Sequence, residues 1–135
     1  MPSQEANLNV EVEIHDPGTA IVAIGGELDI DTATFLHHHL ANQFLHGRHH
    51  LVLDLSALQF VDSSGMNVLI KAAREAREGG GDLRLVAPAP AVRRLLELTG
   101  LSMMTPVHAD IEEALGRTGG IPAQAPVTAR DGSSR

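Results

Sequence analysis

Asp62-Ser63-Ser64-Gly65 places an acid, two hydroxyls and a glycine side by side inside the stretch QFVDSSGMNV. An apolar, strand-like run stops there and an apolar pattern then resumes. Asp and Ser are favoured helix N-caps, and a glycine allows a helix to approach a sheet closely, so capping alone accounts for part of the motif. The same geometry also suits modification of a hydroxyl. A helix start offers unpaired N–H groups and the positive end of the macrodipole. A phosphate on an exposed serine there would find donors and would add about −1.5 to −2 charges without unfolding the chain. A hydrolytic nucleophile at Ser63 or Ser64 is the enzymatic alternative, but no G-x-S-x-G elbow is present and no histidine clearly serves as the base.

Two other groups of residues could do chemistry. Glu27, Asp29 and Asp31, with Thr32, lie in GELDIDT and could bind a divalent ion through carboxylates. Capping and contact with a basic partner are the more economical roles, and the cluster makes this edge acidic. The stretch HHHLANQFLHGRHH invites a metal reading. On a helix, however, consecutive His37, His38 and His39 point about 100° apart, and His39 and His46 lie about 10.5 Å apart along the axis. A solvated helix face and loop fit the pattern better, and no metal is expected.

Positioning these residues falls to a chain of 135 residues, enough for one compact domain. There is no Cys, which excludes disulfide staples, thiolate catalysis and Cys-ligated zinc. Trp and Tyr are absent, so the core must be built from aliphatic residues and Met. The net charge of −7 argues against nucleic-acid binding, which requires a basic face. The first residues show neither a basic start nor an apolar core, so no signal peptide is expected. No apolar run approaches the ~20 residues of a membrane helix, and the expected location is cytoplasmic.

Leu8, Val10, Val12 and Ile14 alternate with polar residues, as in a half-exposed strand. The turn signal Asp16-Pro17-Gly18 joins it to an apolar run from Ala20 to Ile24, predicting a hairpin. A helix capped by Asp31 or Thr32 buries Leu36, Leu40 and Phe44 and stops near Gly47. Leu51–Leu55 has the unbroken apolar character of an interior parallel strand. The helix after Gly65 buries Met66, Leu69, Ile70, Ala73 and Ala76, with Lys71–Glu75 and Arg74–Glu78 as outer pairs. A strand over Leu83–Val86 and a helix from Pro90 to Gly100 follow. Met103–Val107 reads as an edge strand, since Pro106 disfavours a central place. A last helix, opened by Asp110 and Glu113, runs through Leu115. These elements predict an α/β sandwich: a mixed sheet of about five strands, an N-terminal hairpin, and about four helices. Residues 1–7 are expected as a flexible N-terminus, 8–116 as the domain, and 117–135 as a disordered tail. Loops leaving parallel strands gather on one edge of such a sheet, so the Glu27–Thr32 and Asp62–Gly65 loops should meet if their strands are neighbours.

Over about residues 8–116 the chain resembles STAS domains, specifically the bacterial anti-sigma factor antagonists. LVLDLSALQFVDSSGMNVLI carries most of the likeness; GGELDIDTA, LRLVAPAPAVRRLLELTGL and ADIEEAL follow the same family's pattern in order. The resemblance implies a partner switch. The unmodified protein would bind an anti-sigma factor that is also a serine kinase, freeing a sigma factor. Phosphorylation at Ser63 by that kinase would end binding, and a serine phosphatase would reset the cycle. No cofactor is implied for this chain, since the nucleotide belongs to the kinase. By position, Asp62, Ser64 and Gly65 would frame the acceptor. Glu27, Asp29, Asp31 and Thr32 would lie on the neighbouring loop, and Met66 and Asn67 would touch the partner from the first helical turn. Asn67 departs from the Gly that many family members have there. The rival role within the fold is a signalling module that binds a small ligand or assembly partner without sigma-factor control.

Overall fold

The computed structural model describes residues 2–5 and 7–118. Eleven elements are described: β1 (Pro2–Glu5), β2 (Leu8–Asp16), β3 (Thr19–Leu28), α1 (Ala33–Leu45), β4 (His50–Val61), α2 (Ser63–Glu78), β5 (Asp82–Val86), α3 (Pro90–Leu98), α4 (Leu101–Met104), β6 (Val107–His108) and α5 (Ile111–Thr118). The six strands form one sheet in the order β1-β2-β3-β4-β5-β6. Pairing is antiparallel from β1 to β3 and parallel from β3 to β6, the mixed sheet with an N-terminal hairpin that the sequence predicts.

Period two divides the strand side chains between the two faces. Val22, Leu51, Leu53, Leu55, Leu83 and Leu85 join Leu36 and Leu40 of α1, Leu69 and Ala73 of α2, and Val92 and Leu96 of α3 in the main core. Ile21, Val52 and Val86 point the other way and pack with Ala114 of α5. At the hairpin turn, the Gly18 N–H donates to Asp16 Oδ1 at 2.9 Å.

Several boundaries differ from the sequence expectation. Pro2–Glu5 shows no strand pattern, yet it supplies an edge strand, with Pro2 opposite Glu11 and Glu5 opposite Leu8. The strand expected to end at Leu55 continues to Val61. Its alternation is hidden because the register with β3 shifts twice, between Ala23 and Gly25 and between Gly26 and Glu27. Each shift leaves two successive β4 residues exposed, Ser56-Ala57 and then Gln59-Phe60. Met103 and Met104, expected in an edge strand, belong to the helical turn α4. Gly100, at φ 81°, reverses the chain there, and the buried Leu101 anchors the turn. Pro106 has no N–H, but its carbonyl accepts from the Leu85 N–H at 3.0 Å. The pairs Lys71–Glu75 and Arg74–Glu78 are not among the ion pairs of the described residues, which are Arg84–Asp82, Arg93–Glu97, His50–Asp82 and His108–Glu113. Arg117 and Thr118 still belong to α5, and the rest of the expected tail, 119–135, lies outside the described residues.

Candidate functional site

The β3 and β4 strands are neighbours, with Glu27 opposite Phe60 and Leu28 opposite Val61. Their C-terminal ends therefore bring the two acidic loops together. A backbone hydrogen bond from the Asp62 N–H to the Leu28 carbonyl, 3.1 Å, ties one loop to the other.

Asp62 is the N-cap of α2, and its Oδ1 accepts from the Gly65 N–H at 3.0 Å. The capping role is thus real, and it belongs to the acid. Both hydroxyls remain outside it. Ser63 is the first helical residue and is exposed; Ser64 is half-buried. Because Asp62 takes the third-position donor, the Ser63 and Ser64 N–H groups are left at the helix mouth without a partner one turn back. Gly65 is buried because the first turn of α2 rests directly on the end of β3. A Cβ there would lie 2.6 Å from Leu28 Cγ.

The facing loop is braced from within. Asp29 Oδ1 accepts from the N–H groups of Asp31, at 3.0 Å, and Thr32, at 3.2 Å. Thr32 sits at the N-cap of α1 but makes no side-chain cap to that helix. Its hydroxyl turns back instead, donating to the Glu27 carbonyl at 2.9 Å and accepting from the Asp29 N–H at 2.9 Å.

The sequence-derived surface therefore divides. Ser63, Asp31 and Asn67 are exposed, and Glu27, Asp29, Asp62 and Ser64 are half-buried on the same edge. Thr32 is only 1% exposed and Met66 only 4%, and Gly65 is also buried. These three do not present side chains to a partner. Met66 faces the sheet from the first turn of α2 and belongs to the core, while Thr32 and Gly65 set the loop geometry. Two residues on this edge escaped the sequence reading, Ile30 at 73% exposed and Phe60 at 50%. An available signal was the isolation of Ile30 between Asp29 and Asp31, outside any helical stripe. Phe60 was hidden by the irregular end of β4.

No group of three His, Cys, Asp or Glu side chains among the described residues is arranged to hold a metal ion. The histidines are dispersed. His39 packs edge-on against Phe35 and His49 stacks on Phe44. His46 Nδ1 meets the Asn42 carbonyl, and His50 Nδ1 meets Asp82. Burial, with a smaller contribution from the charge of His38, holds the His39 imidazole below its ordinary pKa. None of the described histidines hydrogen-bonds to Ser63 or Ser64. No described helix is long and apolar enough to cross a membrane.

A serine at a helix mouth, capped by the preceding acid and flanked by an acidic loop from the adjacent parallel strand, is the geometry to compare with known proteins. The family model of the STAS domain matches residues 9–114. The chain belongs to the STAS domain family. Among its relatives, the anti-sigma F factor antagonist of Paenibacillus polymyxa is 34% identical over 110 residues, covering 81% of this chain and 93% of that protein. Among solved structures, an anti-sigma factor antagonist from Mycobacterium paratuberculosis superposes with a TM-score of 0.72 at 33% identity, covering 80% of this chain and 91% of that one. The anti-sigma factor antagonist SpoIIAA in its unphosphorylated form superposes with a TM-score of 0.75 at 25% identity, covering 84% and 99%. The STAS resemblance and fold predicted from the sequence are therefore correct, including the edge at which the motif loops of this STAS domain meet.

Proposed function

We propose that this STAS domain is an anti-sigma factor antagonist. Its unmodified form binds an anti-sigma factor with serine kinase activity and thereby frees a sigma factor in the cytoplasm. It works by binding, not by catalysis of its own. Phosphorylation of Ser63 ends the complex, and a serine phosphatase restores it. The observation that carries this reading is the exposed Ser63 hydroxyl on the first turn of α2, on the edge where the two motif loops are tied together. The names of the relatives support the partner class.

The kinase step is a simple transfer. Ser63 Oγ forms a bond to the γ-phosphorus of ATP, the bond from that phosphorus to the bridging oxygen breaks, ADP leaves, and the hydroxyl proton passes to a base on the kinase. The new phosphate then follows directly on Asp62, on the edge that also carries Asp29 and Asp31. It also occupies the place where the next ATP would bring its own terminal phosphate. A drop in affinity of 100- to 1000-fold corresponds to about 2.7–4 kcal/mol. Burying an unpaired, nearly doubly charged group at an interface costs at least several kcal/mol, so one modification is sufficient.

The test is incubation with candidate anti-sigma kinases and ATP, followed by mapping of the phosphate by mass spectrometry. Label on Ser63 is expected, with none in Ser63→Ala, which stays bound to the kinase. Label confined to Ser64 would move the acceptor. Absence of binding and label with every kinase would leave the ligand-sensing role of a STAS module as the better reading.

A further inference from the structure

One helical turn along α2 from Ser63 a shallow groove begins between α1 and α2, lined by Ala33, Thr34 and His37 of the first helix and Asn67, Val68 and Lys71 of the second. Ser63, Asn67 and Lys71 follow one another at four-residue spacing, so they form one stripe along α2, and all three are exposed. The groove therefore continues the surface that carries the phosphoacceptor. Short side chains lie at its centre, Ala33 buried and Val68 half-buried, and the longer His37 and Lys71 also line it.

Charge separates the two sides of Ser63. The loop side carries Glu27, Asp29, Asp31 and Asp62, whereas no carboxylate lines the groove. Lys71 stands at its rim, and the helical partner expected for it, Glu75, does not pair with it. An exposed ammonium with no internal carboxylate partner is available to a docked protein.

We propose that this groove is the orientation-setting half of the kinase-docking surface: it seats an apolar side chain of the anti-sigma kinase between Ala33 and Val68 and pairs a kinase carboxylate with Lys71. This rests on the function proposed above and specifies its partner further. The docked kinase presents cations to the acidic loops and an anion to Lys71. Meeting both restricts the orientation in which the kinase can sit against Ser63. Charges at the rim of an interface govern register and association rate more than the area buried, so a single reversal here should be felt.

The test uses the full chain and whichever anti-sigma kinase labels Ser63. Lys71→Glu reverses the rim charge, Thr34→Arg fills the groove, and Arg94→Glu on α3 makes the same change in net charge away from it. All three positions are exposed, and matching thermal unfolding curves verify folding. Lys71→Glu and Thr34→Arg should each weaken binding by tenfold or more and lower kcat/KM for Ser63 phosphorylation, while Arg94→Glu changes either by less than threefold. Wild-type affinity in Lys71→Glu or in Thr34→Arg overturns the proposal, as does an equal loss in Arg94→Glu. If the wild-type chain itself neither binds nor is labelled by any kinase, the functional reading fails first and the groove proposal falls with it.

Discussion

Gly65 lies so close beneath Leu28 that an added Cβ would sit 2.6 Å from the Leu28 Cγ and 2.8 Å from its carbonyl oxygen, with Val61 Cγ2 also at 2.8 Å. The same Leu28 carbonyl accepts the Asp62 N–H, so one residue at the end of β3 both seats α2 and binds its cap. The position of Ser63 depends on this contact, because Ser63 stands between Asp62 and Gly65.

Gly65→Ala should therefore lift the first turn of α2 from the sheet. The backbone oxygen cannot rotate away as a side chain could, so the strain falls on the helix. Overpacking of this kind costs typically 1–3 kcal/mol. Urea unfolding should show a loss in that range, and amide shifts should concentrate in residues 28–32 and 62–67. An unchanged midpoint would mean that α2 is seated elsewhere.

Thr32→Val replaces a buried hydroxyl by a methyl of nearly the same volume. The Glu27 carbonyl and the Asp29 N–H each lose a partner. Leaving a fully buried polar group unpaired costs about 1–3 kcal/mol, and the half-buried Glu27 and Asp29 place the loss at the low end of that range. The expected result is lower stability together with faster hydrogen exchange across Asp29–Thr32. Because Thr32 is not a contact residue, any loss of kinase binding should track the loosening of the loop.

How far the sequence reveals this site follows from the same contacts. The hairpin, the parallel strands and the main helices were legible because alternation and four-residue spacing recur in them. Asp62 was legible as a cap because capping is local. The inward role of Thr32 was not, whereas that of Met66 followed from its place in the apolar stripe of α2, against the partner contact that the family resemblance implied. Thr32 occupies an N-cap position, and only the bend of the loop turns its hydroxyl toward Glu27. Met66 lies on a first helical turn whose rotation is fixed by Gly65 resting on Leu28, a contact 37 positions apart in the chain. The irregular end of β4, which exposes Phe60, depends on its register with β3 and has no local signature.

The His39 imidazole gives a pH dependence with a definite sign. Burial, followed by the charge of His38, lowers its pKa in the folded state below the ordinary 6.5. The folded protein then binds fewer protons than the unfolded chain, so the stability linked to His39 is complete above about pH 6.5 and is lost as pH falls from there through the lower folded-state pKa. Thermal midpoints measured from pH 7.5 to 5 should decline, and His39→Gln should flatten part of that decline. An identical slope in the variant would remove His39 as a contributor.

Ile30 and Phe60 should carry much of the affinity for the kinase. They are large apolar side chains, 73% and 50% exposed, on an edge otherwise made of carboxylates and hydroxyls. Exposed as they are, their removal should cost the free protein little. Burying an apolar side chain of this size contributes about 1.5–3 kcal/mol, and truncation of central apolar anchors dominates many interfaces. Ile30→Ala and Phe60→Ala should each weaken binding of the unphosphorylated protein by ten- to a hundredfold, about 1.4–2.7 kcal/mol, with unfolding midpoints close to wild type. Calorimetric titration of the kinase with each variant distinguishes this from a purely electrostatic interface. In the electrostatic case both truncations would bind normally, and affinity would instead fall steeply with added salt.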